Sequence, residues 1–178
     1  MTRLDSTLNH LSSENRDFFF EHGFGESKAT PHVSLVDAFR AHVQTAPEAI
    51  AVEYLGDSIT YGELDHQSSQ VAAYLKRSGV RSGHRVMLLV KRSIPMVVGI
   101  LGVLKAGAAY VPLDGGIVPD KTLAHIVSDA SIRVILTFKS FASRVRSCDS
   151  SVVFLDEPSS ELLALKPLDP QKFTGDES

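Results

Sequence analysis

From residue 84 onward the chain alternates short runs that are apolar at nearly every position with longer stretches of helical periodicity. The apolar runs are Arg85 to Val90, Ala108 to Leu113, Ile132 to Phe138 and Val152 to Leu155. A strand with one wet face alternates polar and apolar residues; a run without alternation needs cover on both faces. The intervening stretches supply that cover. Ser93 is placed to cap a helix with Pro95 in its first turn and Lys105-Ala106-Gly107 at its end. Pro119 to Ala130 forms a second helix with Leu123, Ile126 and Val127 inward, and Ser140 to Arg146 a short third one. This alternation specifies an α/β fold, a parallel sheet with helices on both faces.

The residues before it add smaller elements. Val33 to Thr45 reads as a helix with Ser34 as N-cap and Leu35, Phe39 and Val43 inward. Ala49 to Leu55 and Ser58 to Tyr61 read as a hairpin turning at Gly56-Asp57. Glu63 to Arg77 is amphipathic, with Leu64, Val71 and Leu75 inward, Gln67 and Gln70 outward, and Gly79 after its end. Residues 1–30 read as a leader in which Leu8, Leu11 and Phe18-Phe19-Phe20 form a short helix, broken at His22 to Gly25. Residues 31–157 form the α/β body, and 158–178 turn polar, as a loop or linker.

The 178 residues carry 18 Lys plus Arg and 21 Asp plus Glu, a net charge of −3. That balance offers no basic face for nucleic acid. At 43% hydrophobic and 22% charged, the chain is expected to be globular rather than disordered. One cysteine, Cys148, excludes an internal disulfide framework. The longest apolar run, Ile94 to Leu104, is about half of what a bilayer crossing needs, and Met1 to Asn15 lacks a signal-peptide pattern, so a cytoplasmic, non-membrane chain is expected.

Sites of chemistry are sparse. The patterns GxxxxGK[ST] and GxGxxG are absent. Gly115-Gly116 follows a strand and precedes a helix, where amides could cradle an anion, but the pair reads as a plain turn. His10, His22, His32, His42, His66, His84 and His125 form no i,i+4 pair, so no metal site is expected. Ser58 falls in a hairpin rather than on a strand-to-helix elbow, which argues against a nucleophile. Asp156-Glu157 read as a solvated strand end. Cys148, with Arg144 and Arg146 near it in sequence, reads as an inert thiol without a histidine partner.

Two stretches carry a resemblance. Ile59-Thr60-Tyr61-Gly62-Glu63-Leu64 and Leu104-Lys105-Ala106-Gly107-Ala108-Ala109-Tyr110-Val111-Pro112-Leu113-Asp114 resemble the first two core motifs of adenylation domains of nonribosomal peptide synthetases, members of the adenylate-forming enzymes. Gly83-His84-Arg85-Val86 and the spacing from Val33 to about Leu155 follow the family's amino-terminal pattern, and Leu11 to Gly25 resembles the segment joining a preceding domain. One departure is Gly115-Gly116-Ile117-Val118-Pro119-Asp120, where the family has a Pro-rich turn; it puts a divergent subgroup in view, a fungal-type synthetase or an acyl-activating relative.

The resemblance implies the amino-terminal portion of the adenylate-forming fold, a parallel sheet with helices on both faces plus a small hairpin. It implies that the full domain activates an amino or carboxylic acid with ATP and Mg²⁺ and passes the acyl group to a phosphopantetheine thiol. The family's phosphate loop, acid pocket and catalytic lysine have no match in these residues. No catalytic, cofactor-binding or metal residue is therefore assigned, and whether the chain is itself an enzyme is left open. The expected partners are the remainder of the domain or neighbouring synthetase domains. Both motifs read as scaffold: Asp114 would cap the segment after it, and Pro112 would fix the strand's end. The expectation is a truncated adenylation domain, inactive alone; the alternative is a non-catalytic fragment acting as a binding module or remnant.

Overall fold

A computed structural model describes residues 11–23, 25, 29 and 31–167. The chain divides into two compact units, residues 1–33 and 34–178.

In the first unit, helix α1 spans Ser13–His22. Ser12 Oγ accepts the Asn15 N–H at 3.3 Å as N-cap, and the Gly23 N–H closes the last turn on Phe19 O at 2.7 Å. The phenylalanine cluster is helical, as expected, but the helix starts after Leu11, because Ser12 caps it. Leu8 lies outside the described residues.

The second unit contains α2 (Leu35–Thr45), the hairpin β1 (Ile50–Tyr54) and β2 (Asp57–Thr60), and α3 (Tyr61–Arg77). There follow β3 (Arg85–Val90), α4 (Ile94–Lys105), β4 (Ala109–Asp114), α5 (Asp120–Asp129) and β5 (Val134–Thr137). A 3₁₀ turn at Lys139–Phe141, α6 (Ala142–Val145), β6 (Ser151–Phe154) and α7 (Ser160–Leu163) complete it. Strands β3 to β6 form one parallel sheet in the order β4-β3-β5-β6. Along β3 the side chains divide between the faces. Val86, Leu88 and Val90 pack into a core with Leu64, Val71 and Leu75 of α3 and Val98 and Leu101 of α4. Met87 and Leu89 pack into a second core with Leu123 of α5, Phe141 and Val145. The two-faced cover that apolar strands demand is present. No helix among the described residues is long and apolar enough to cross a membrane.

Several local expectations shift. The hairpin turns at Leu55 and Gly56, both with positive φ (53° and 91°), one residue before Gly56-Asp57. Pairing Tyr54 with Asp57 leaves a two-residue loop with glycine second, the geometry that matches strand twist. In α2 the buried residue is Val36, while Leu35 is 63% exposed. A strict four-residue step rotates the stripe by about 40° per repeat, and Val36, Phe39 and Val43 hold a narrower face. The apolar run at β4 implies cover throughout, yet this strand is an edge, with Tyr110 38% exposed. Pro112 lies within this strand, in register with Leu88, and is tolerated because only β3 pairs with it among the described residues. In the stretch that reads as a polar loop, Ser160–Leu163 is helical and Leu162 joins the first core.

The strongest local signal is at Thr60. Its hydroxyl accepts the Glu63 N–H at 3.2 Å and Glu63 Oε2 accepts the Thr60 N–H at 2.9 Å, a reciprocal capping box that opens α3. Thr60→Ala is expected to lower stability by about 1 kcal/mol, read as a shift in the urea midpoint at unchanged slope.

Candidate functional site

In an open parallel sheet, ligands collect beyond the carboxyl ends of the strands where the strand order reverses. Here the chain leaves β3 for β4 on one side and returns to β5 on the other, so that point lies between β3 and β5. Its rim carries Lys91, Ser93, Asp114 to Gly116, Lys139 and Asp156.

Most of the polar groups at this rim are engaged. The Gly115 N–H donates to Val90 O at 3.1 Å and the Gly116 N–H to Asp114 Oδ1 at 2.7 Å. Neither amide is free to cradle an anion, so the pair forms a plain turn, and Asp114 caps that turn rather than the following helix. A Cβ on Gly115 would run into the Phe141 ring, so that close approach favours glycine, whereas one on Gly116 would meet only the movable end of the Lys91 side chain. Arg144 reaches across from α6, donating to Gly115 O, Val118 O and, at 2.8 and 2.7 Å, to Asp120 Oδ1. Its charge holds this loop to the start of α5, where Pro119 offers no capping side chain.

Asp156 and Glu157, expected to be solvated, both serve Lys139. Asp156 accepts the Lys139 N–H with both oxygens at 3.0 and 3.1 Å, and Glu157 pairs with Lys139 Nζ at 3.7 Å. Asp156 caps the 3₁₀ turn, Glu157 pairs with the lysine side chain, and both acids are exposed. Ser58 lies on β2 opposite Glu53, within the hairpin. Burial pushes the Cys148 thiol pKa up from its ordinary value, the direction of an unreactive thiol. Among the described residues no group of three or more His, Cys, Asp or Glu could hold a metal ion. His10 lies outside the described residues.

The densest polar cluster lies inside the fold, on the second motif. Lys105, which reads as a helix-end cation, is 1% exposed. Its ammonium donates to Asp65 Oδ1 at 2.7 Å, Asp65 O at 3.0 Å, Ser68 Oγ at 2.7 Å and Ser69 Oγ at 2.9 Å. The Phe39 ring centroid is 5.2 Å from Nζ, so α2, α3 and α4 converge on one charge. Burial lowers the Lys105 pKa; the hydrogen bond and charge of Asp65 oppose that shift. The available clue was positional: Lys105 continues the stripe of Leu101 by one turn, and Ser68 and Ser69 break the apolar face of α3 where a donor must be met. Gln70, which reads as outward, is 5% exposed and donates to Leu163 O at 2.7 Å, tying α7 to α3. A groove of about 500 Å³ lies beside that tie, lined by His66, Val71, Val98, Leu155 and Leu162.

The first motif is scaffold of the same kind. Tyr61 stacks on His42, with ring centroids 5.6 Å apart, and the Gly62 N–H donates to Pro47 O at 2.8 Å. Leu64 is in the core. Together the two motifs build the α3–α4 pair that covers one face of the sheet.

Comparison with known proteins agrees with this scaffold. The family model described as AMP-binding enzyme matches residues 39–174. Adenylate-forming reductase 06235 of Coprinopsis cinerea is 46% identical over 151 residues, 84% of this chain and 15% of that protein. Gramicidin S synthase 2 of Brevibacillus brevis is 37% identical over 161 residues, 89% of this chain and 4% of the synthase. The crystal structure of the nonribosomal peptide synthetase FmoA3 in its AMPPNP-bound form superposes with a TM-score of 0.74 at 25% identity, covering 89% of this chain and 17% of that one. The chain thus spans a small part of the length of each of these proteins.

Proposed function

The chain belongs to the AMP-binding enzyme family, matching the amino-terminal part of an adenylation domain, and on that premise we propose that it serves an acyl-adenylate-forming reaction as part of a longer polypeptide. In that reaction a carboxylate oxygen of an amino or carboxylic acid attacks the α-phosphorus of ATP and pyrophosphate leaves. A phosphopantetheine thiol then attacks the acyl carbon, forming a thioester as AMP leaves and the thiol proton is released. The observation that carries the reading is the match over residues 39–174, together with the structural role of both motifs in one helix pair.

This chain's contribution is the platform. The Lys105 cluster and the capping box at Thr60 hold α3 and α4 against the sheet, and Arg144 and Asp114 hold the loop after β4. Mg²⁺ would offset phosphate charge in the full reaction. The donor set for it is not assembled among the described residues, so no step is routed through them. Neighbouring synthetase domains and a phosphopantetheine carrier are the proposed partners.

The purified 178-residue chain is expected to give no ATP–pyrophosphate exchange with any amino or carboxylic acid. Robust exchange would place the active site within these residues and overturn the reading. Verified transcripts supply the complementary check. A Thr-Ser-Gly-rich segment encoded within about 15 residues after Ser178, a usual loop distance, supports the proposal. A stop codon at that point would favour a non-catalytic binding fragment instead.

A further inference from the structure

Two arginines meet at the amino-terminal ends of β3 and β5, away from the rim described above. The parallel register begins at Met87 and Ile135, and two residues before each of them stand Arg85 and Arg133, both exposed and both lining one depression. Like charges brought together in this way repel. The depression measures about 210 Å³, and its walls include Gly83, His84, Arg85, Ser131 and Arg133.

Each polar wall group has capacity to spare. Arg85 Nε donates to Ala130 O at 2.6 Å, which orients the guanidinium and leaves its Nη groups without a described partner. Arg133 forms no ion pair or side-chain hydrogen bond among the described residues; Asp149 lines the adjoining depression with it but does not pair with it. His84 Nδ1 accepts the Arg81 N–H at 3.3 Å, so Nε2 carries the hydrogen of the neutral ring. Ser131 lines this wall from a left-handed backbone (φ 51°), where glycine would sit without strain. A juxtaposed cation pair and a strained hydroxyl residue share one small depression on a chain whose net charge is negative.

We propose that this depression is a binding site for a small phosphate-class oxyanion, bridged by Arg85 and Arg133 with His84 and Ser131 as further donors. Guanidinium groups suit such oxygens because their paired N–H groups match the anion's geometry. The site does not depend on the adenylation reading.

The full chain would be titrated with inorganic phosphate and with pyrophosphate by calorimetry at constant ionic strength, with chloride as the reference anion and thermal midpoints read in parallel. Saturable binding and a raised midpoint are expected. Arg133→Gln should weaken binding at least about tenfold, Arg133→Lys should weaken it less, and Lys121→Gln on the exposed surface of α5 should leave it unchanged. The Arg133 side chain has no described partner, so its loss should not unfold the chain, which circular dichroism would verify. Arg85→Gln also removes the bond to Ala130 and is the secondary variant. Absence of saturable binding to the unmodified chain would overturn the proposal. So would unchanged affinity in Arg133→Gln, or equal weakening by Lys121→Gln, which would reduce the effect to net charge.

Discussion

Lys105→Ala is expected to destabilise the chain by about 3 kcal/mol or more, enough to leave a marginal domain partly unfolded at physiological temperature. The magnitude reflects the groups left behind. Asp65, with its side chain 32% exposed, loses the cation 2.7 Å away. Ser68 keeps its bond to Leu64 O, but Ser69 loses its described partner. The aliphatic stem leaves a cavity between α3 and α4 at a position 1% exposed. Lys105→Met fills that space but leaves Asp65 and Ser69 without the same cation, so it should recover the cavity part of the loss and no more. Equal losses in the two variants would show that packing is irrelevant and the pair alone matters.

The pH dependence separates the same ideas. Burial holds the folded-state pKa of Lys105 below the ordinary lysine value. Between those two pKa values the unfolded chain binds the proton more tightly than the native one, so this group makes stability rise with pH across that alkaline window. Lys105→Met should flatten that rise. A native chain whose stability falls there with an unchanged slope in the variant would contradict the direction of the shift.

The sheet was legible because its signal is local. Four apolar runs separated by helical periodicity have few other solutions, and β3 occupies the predicted residues to the residue. Strand order is not local: nothing in Ala109 to Asp114 states that β4 pairs on one side only, with β3, so an apolar run reads as buried although it is an edge. The same limit explains Lys105 and Gln70. Each is polar on its own helix, and each is buried because a second helix brings carbonyls or hydroxyls to it, Asp65 and Ser68 in one case and Leu163 in the other. Periodicity assigns a polar residue to water unless the partner is already known. The two glycines after β4 offer an anion cradle by sequence, and only the hydrogen bonds to Val90 and Asp114 show their amides taken.

Gly102→Val should produce the second large effect, a loss of about 3 kcal/mol. Gly102 lies one turn before Lys105, where α4 presses closely on α3. A Cβ there would stand 2.7 Å from Val71 Cβ and 3.2 Å from Ser68 O. Real Cβ atoms do not approach so closely, and one obstacle is backbone, so the helices must separate. Replacing glycine by alanine within a helix normally stabilises it by about 1 kcal/mol, and by valine less; here the overlap opposes and exceeds that gain. Gly83, with φ +80° and nothing within 4 Å of its added Cβ, is the contrast. Gly83→Ala should cost only its backbone strain, on the order of 1 kcal/mol. Separation at Gly102 would also lengthen the Lys105 bond to Ser68, which shares that crossing. The two sites should therefore couple: Gly102→Val should cost less in the Lys105→Met background than alone, with an interaction of about 1 kcal/mol in a double-mutant cycle. Strict additivity would mean that α4 absorbs the added methyl groups without moving off α3, and that the buried lysine does not sense the crossing.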